Sequence, residues 1–248
     1  AESRTIVTRV VVTRATEDAE RLGRRLSDAG HIAIQLPLMA IESTGVSWDT
    51  DSTPAVTTIY IFTSVNAVRH GLSGLTQGSE SSLMQVIAVG LRTRTALADA
   101  GIQASSPIRE DSEGILELLE ATYSAPTHAV IIKGEGGRDV LSEALSSHNI
   151  QVTTVDCYRR TWPVISTDDL REAVSVDEPS VVHVASGETL LRLSQLCLEQ
   201  DLQVLNVHRI VVPSQRVAET AQELGWQSRI VAEGASDEAL LRVIAQLP

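Results

Sequence analysis

The sequence predicts an α/β protein built on parallel sheets whose faces are covered by helices. Three observations predict it. Short Val- and Ile-rich runs of strand length recur along the chain, a helical period follows each of them, and the pattern then repeats itself in order. A strand followed each time by a helix returns the chain to the same end of the sheet, so consecutive strands run parallel and the helices cover their faces.

The first run, Arg9 to Thr13, is followed by Ala19, Leu22 and Leu26 at i, i+3 and i+7, which line one face of a helix ending near Gly30. Further runs are Thr58 to Phe62, Val86 to Val89, Ala129 to Ile132, Val181 to Val184 and Arg209 to Val212. Arg14, Gly30 and Pro37 are separated by steps of 16 and 7, and Lys133, Asn149 and Asp156 repeat those steps. Each set spans a strand, a helix and a second strand. A second unit runs from Phe62-Thr63-Ser64 through Val89-Gly90-Leu91-Arg92-Thr93 and Gly101 to Ser112. Its copy runs from Val184-Ala185-Ser186-Gly187 through Val212-Pro213-Ser214-Gln215-Arg216 and Gly225 to Ser236.

The order is therefore first unit, second unit, first copy, second copy. Two pairings fit it: tandem, or exchanged, with the first unit joined to the second copy and the rest inserted between. Periodicity alone does not choose. Around 37 to 46 and 156 to 166 the helical period lapses, and Pro37 and Pro163 favour extended backbone there. Two such crossings suit the exchanged arrangement.

A chain of 248 residues has the length for two small domains. Its 43% hydrophobic and 21% charged residues make disorder a poor reading. With seven aromatics, the core must be aliphatic. The net charge of −12 opposes nonspecific binding to nucleic acid or an anionic membrane, although a local basic pocket is compatible with it. Cys157 and Cys197 form no CxxC pair and the six His have no paired metal spacing, so neither a disulfide framework nor a metal site is expected. The first residues open no apolar signal region and no apolar run reaches membrane-spanning length, which predicts a cytoplasmic protein.

Several strand ends lead through Ser, Thr or Gly into a helix: Ser64, Gly90 to Thr93, Gly134 to Gly137, Ser186-Gly187 and Ser214. In a parallel sheet such turns lie at the carboxyl edge, where helix starts present free N–H groups to anions. Taken alone each reads first as an N-cap; five together point to a ligand-binding edge. The run Lys133-Gly134-Glu135-Gly136-Gly137-Arg138 is neither a Walker loop nor a GxGxxG turn. It is a glycine turn that lets backbone approach a ligand, flanked by Lys133 and Arg138, which read either as carboxylate donors or as helix-end charges. Ser186 is not in a GxSxG elbow, so acyl hydrolysis is not indicated. Tyr158 stands at the second crossing and reads either as an interfacial aromatic or as an acid, since a phenol with reference pKa near 10 is protonated at neutral pH.

These landmarks, with Phe62-Thr63-Ser64-Val65-Asn66-Ala67-Val68, Tyr158-Arg159-Arg160 and Ser214-Gln215-Arg216-Val217-Ala218-Glu219, resemble in order and spacing the uroporphyrinogen-III synthase family. The resemblance runs from Val12 to Ser236. It implies two doubly wound parallel-sheet lobes joined by a two-stranded β-ladder: 1–36 with 166–248 as a discontinuous lobe, 44–155 as the inserted lobe, and 37–43 and 156–165 as linker strands, with the active site in the cleft between lobes. It implies cyclisation of hydroxymethylbilane, a linear tetrapyrrole with eight carboxylates, with loss of water and inversion of ring D. Tyr158 is the implied catalytic residue. The implied substrate-binding residues are Ser64, Asn66, Gly90, Thr93, Lys133, Gly134, Gly136, Gly137, Arg138, Ser186, Gly187, Ser214 and Arg216. No cofactor or metal is implied, and a monomer without nucleic-acid or membrane partners is expected. Two alternatives stay open on sequence: a non-catalytic sensor of the same fold, and a nucleotide-dependent two-lobed transferase, for which no phosphate motif is visible.

Overall fold

The computed structural model describes residues 7–48, 58–76, 85–122, 128–136, 139–175, 177–200 and 207–247. In chain order its elements are β1 (Arg9–Val12), α1 (Thr16–Asp28), β2 (Ile32–Gln35), β3 (Ala40–Ser43), β4 (Thr58–Phe62), α2 (Val65–Gly71) and α3 (Ser73–Thr76). There follow β5 (Gln85–Ala88), α4 (Leu91–Asp99), α5 (Ser112–Thr122), β6 (His128–Gly134), α6 (Val140–Ser147) and β7 (Gln151–Thr161). The chain closes with α7 (Thr167–Ala173), β8 (Val181–His183), α8 (Gly187–Glu199), β9 (Arg209–Val212), α9 (Gln215–Glu223), β10 (Ser228–Val231) and α10 (Asp237–Ala245). Among the described residues no helix is long and apolar enough to cross a membrane.

The chain divides into two compact units, Ala1–Ala40 with Thr161–Pro248, and Ile41–Arg160. The first holds a five-stranded sheet in the order β10-β9-β8-β1-β2, every neighbouring pair parallel. Its central strands β1, β8 and β9 are almost wholly buried, because both of their faces are covered. Val11, Val182, Ile210 and Val212 point into one buried cluster, whereas Val10, Val12, Val181 and Val211 point into another on the opposite face.

The second unit holds a sheet in the order β3-β7-β6-β4-β5, with β7, β6, β4 and β5 mutually parallel. Alternation sends Tyr60, Phe62, Val130 and Ile132 to one face and Ile59, Ile61, Ala129 and Ile131 to the other. The two sheets correspond strand for strand: β2-β1-β8-β9 matches β7-β6-β4-β5. An isolated parallel bridge from Ile87 to Ser105 stands where β10 stands in the first sheet. The halves occur in opposite order along the chain, so one sheet is a circular permutation of the other, and β3 is an additional edge strand beside β7.

Candidate active site

In the second unit the chain winds from β4 through α2 to β5 on one side, and from β6 through α6 to β7 on the other. The crossover direction therefore reverses between the parallel neighbours β4 and β6, and a crevice opens beyond their carboxyl ends. That crevice is a pocket of about 280 Å³ lined by Thr63, Ser64, Lys133, Gly134, Glu135, Gly136, Tyr158 and Arg160.

Each wall has a local cause. Thr63 ties the end of β4 to β6, its N–H and Oγ1 both donating to the Ile132 carbonyl at 3.1 and 3.2 Å. Ser64 is the N-cap of α2: its Oγ accepts the Ala67 N–H at 3.1 Å and lies 3.1 Å from the Tyr158 hydroxyl. Pairing of β6 with β7 runs Lys133 to Asp156 and then Gly134 to Tyr158, skipping Cys157. This irregularity re-aims the side chain that follows it, so Tyr158 lies over Gly134. A Cβ at Gly134 would stand 2.5 Å from Tyr158 Cζ, so only glycine leaves room for the ring. The Glu135 N–H donates to the Tyr158 carbonyl at 2.7 Å, and the His70 ring tilts against the phenol with centroids 6.1 Å apart.

The charges around the pocket are mostly engaged. Lys133 Nζ meets Asp139 at 2.9 Å, and Glu135 faces Arg159 at 3.4 Å. The Cys157 thiol, directed at the Ala67 and Lys133 carbonyls, is pushed by burial up to about 11, which disfavours the thiolate.

The structure therefore brings together Ser64, Lys133, Gly134, Gly136 and Tyr158, and adds Thr63, Glu135 and Arg160, which sequence reasoning did not single out. Thr63 and Glu135 adjoin residues that were and Arg160 lies two positions from Tyr158, so proximity along the chain was the available signal. Gly137 and Arg138 lie outside the described residues. Asn66, in the first turn of α2, accepts weakly from Arg69 at 3.5 Å. Gly90 and Thr93 belong to the start of α4, outside the pocket lining. There the Leu91 N–H donates to Glu110 at 2.8 Å, so an internal carboxylate already sits at that helix start. Gly90 lets it approach, because a Cβ would stand 2.9 Å from a Glu110 oxygen. Thr93 is buried, which turns its hydroxyl away from solvent.

Ser186, Gly187, Ser214 and Arg216 belong to the first unit, at the carboxyl ends of the parallel neighbours β8 and β9. Ser186 and Ser214 cap α8 and α9, accepting the Thr189 and Val217 N–H groups at 3.2 and 3.4 Å. Ser186 also shares a hydrogen bond with the Thr189 hydroxyl at 3.0 Å. Beyond the end of β1, where the first sheet reverses beside β8, lies a buried ion pair. Buried Arg14 reaches Asp237 at 2.5 Å and also donates to the Ala235 carbonyl. Burial favours the neutral forms of both partners. The bond from Arg21 and the charge of Arg14 outweigh it at Asp237 and hold its carboxyl below the ordinary value.

Two α/β units, each built on a parallel sheet and one with a pocket walled by a glycine turn, a helix cap, charged side chains and a phenol, define a protein of two doubly wound sheets. The crystal structure of uroporphyrinogen-III synthetase from Helicobacter pylori 26695 has this fold, with a TM-score of 0.64 at 17% identity, covering 98% of this chain and 100% of that one. A family model described as uroporphyrinogen-III synthase HemD matches residues 20–242. The uroporphyrinogen-III synthase of Escherichia coli K12 is 33% identical over 246 residues, covering 95% of this chain and 99% of its own. That of Salmonella typhimurium LT2 is 31% identical over the same length. The chain belongs to the uroporphyrinogen-III synthase family.

Proposed function

We propose that this chain is the cyclising lyase for which its family is named, closing hydroxymethylbilane to uroporphyrinogen III with loss of water and inversion of ring D, in the tetrapyrrole (haem) pathway. The observation that carries the mechanism is the Tyr158 hydroxyl, held at the edge of a pocket at the point where the second sheet reverses. Tyr158 gives its proton to the terminal hydroxyl as the carbon–oxygen bond breaks, and water leaves behind an azafulvene cation. The substituted carbon of ring D attacks that cation, and the spiro intermediate fragments and recloses inverted. The proton released when the last pyrrole regains aromaticity returns to the phenolate, so the enzyme ends unchanged. Because the uncatalysed product is the uninverted macrocycle, holding the chain folded matters as much as activating its hydroxyl.

The carboxylates are bound by many weak donors. Helix-start N–H groups and side chains near Asn66, Gly134, Gly136, Ser186, Gly187, Ser214 and Arg216 supply them, with Lys133 adding charge; Gly90 and Thr93 drop out of the set because Glu110 occupies the start of α4 and Thr93 is buried. Gly137 and Arg138 complete the set on sequence grounds. The same reading makes the protein a monomeric cytoplasmic enzyme with no nucleic-acid partner, in keeping with its net charge of −12.

Tyr158→Phe tests the acid. It keeps the ring and its burial, so turnover should fall about 10²- to 10⁴-fold with little change in unfolding temperature. The residual product should still favour the type III isomer. Type III is measured against the spontaneous type I background, starting from freshly generated hydroxymethylbilane. Unchanged turnover removes the acid role, and lost turnover with a large drop in unfolding temperature makes Tyr158 a packing residue. A wild-type protein that yields only type I is a sensor rather than an enzyme.

A further inference from the structure

We infer that Ser64 sets the direction of the Tyr158 O–H bond, acting as a positioning residue for proton transfer rather than as a carboxylate donor. The inference rests on the reading of Tyr158 as the acid. A serine hydroxyl has one proton and two acceptor sites. One acceptor site of Ser64 holds the Ala67 N–H at 3.1 Å, and among the described residues the other hydrogen-bond neighbour of Oγ is the Tyr158 oxygen, also at 3.1 Å. Two directions exist for that second bond. If the phenol donates, its proton points at Ser64 and away from the pocket. If Ser64 donates, the phenol proton is turned outward.

The second direction makes a continuous chain from the Ala67 N–H through the Ser64 O–H and the Tyr158 O–H to the departing oxygen. Bonds aligned head to tail polarise one another, and this chain strengthens as negative charge grows on the phenol oxygen. Ser64 is therefore worth more in the transition state than in the ground state, which is the condition for raising kcat. The ring has little freedom to evade this partner. The irregular β6–β7 pairing, the Glu135 N–H on the Tyr158 carbonyl, the bare Cα of Gly134 and the His70 ring fix it from several sides. With its proton given to Tyr158, Ser64 has none to offer a substrate carboxylate.

A double-mutant cycle tests this on the full chain. Ser64→Ala should lower kcat about 3- to 10-fold with KM nearly unchanged, the loss expected of one neutral hydrogen bond. Ser64→Thr, which keeps the hydroxyl, should recover most of it. Ser64→Gly removes the hydroxyl at little capping cost and guards against a folding defect in the alanine variant. In the Tyr158→Phe background, Ser64→Ala should change kcat by less than twofold, because the group it acts through is gone. Persistence of the full factor in that background, or a rise in KM with kcat intact, overturns the inference while leaving Tyr158 as the acid. If Tyr158→Phe alone leaves turnover unchanged, it is the acid itself that fails.

Discussion

His183 shows what burial does to a single titratable group. It is 2% exposed at the end of β8, and burial first, then the charge of Arg14, push its imidazole down to about 3 against a partial upward pull from Asp237. The ring is neutral in the fold, whereas in the unfolded chain it titrates near 6.5. Between those values the unfolded chain binds a proton that the folded one does not, so stability is present above pH 6.5 and is lost as pH falls toward 3. The full effect is on the order of a few kcal/mol. Asp237, also held low, adds a loss of the same sign nearer its unfolded value. Urea unfolding at pH 7.5, 6, 5 and 4 should show the decline, with a shallower slope for His183→Gln; equal slopes would sink the assignment. Nothing in the sequence around His183 announces this, because the Val181–Val184 run reads as strand whatever partner lies behind it. The candidate site was legible where backbone chemistry demanded a residue type, as at the Gly134 turn and the Ser64 cap. It was illegible where a contact joins segments distant in sequence, as for Glu110 at the start of α4, nineteen positions from Leu91.

At the scale of elements, the matched spacing of Gly30 and Asn149 has a conformational meaning. Both follow a helix and both adopt left-handed backbone, at φ 82° and 61°. That geometry lets the next N–H groups turn back onto the carbonyls of the last helical turn: Gly30 onto Ser27, Asn149 onto Ser146 and Ile150 onto Leu145. Asparagine tolerates the position and alanine does not. Asn149→Ala should therefore cost about 1–2 kcal/mol in chemical denaturation, while Asn149→Gly should be close to neutral. An alanine variant as stable as wild type would mean that α6 ends without strain. Element type was legible from such repeats: short apolar runs became strands of two parallel sheets, and α1 ends two residues before Gly30. Elements with weak local signals, such as β10, α3 and α7, were not singled out. Which strands share a sheet depends on hydrogen bonds between distant segments, such as Val10 with Val181, and local periodicity does not carry that information.

For the whole molecule, a net charge of −12 would repel the proposed substrate, with its eight carboxylates, at long range. Raising ionic strength from about 0.01 to 0.15 M shortens the screening length from about 30 to about 8 Å. kcat/KM should accordingly rise or stay level with salt; a steep fall would mean that a local positive field, not the net charge, governs encounter. The sheet arrangement also dictates how the protein must be made. From Val10 to its partner Val181 is 171 positions, so a nascent chain leaves β1, α1 and β2 without their central neighbour until the whole intervening segment has been made. Ile41–Arg160 is contiguous and meets no such delay. Because β3 and β7 are neighbours, closing that segment draws its two ends together and replaces a long floppy loop with a short tether. On stalled ribosomes the segment Ile41–Arg160 should become protease-resistant first, and β1, α1 and β2 should be protected only after β8 has emerged.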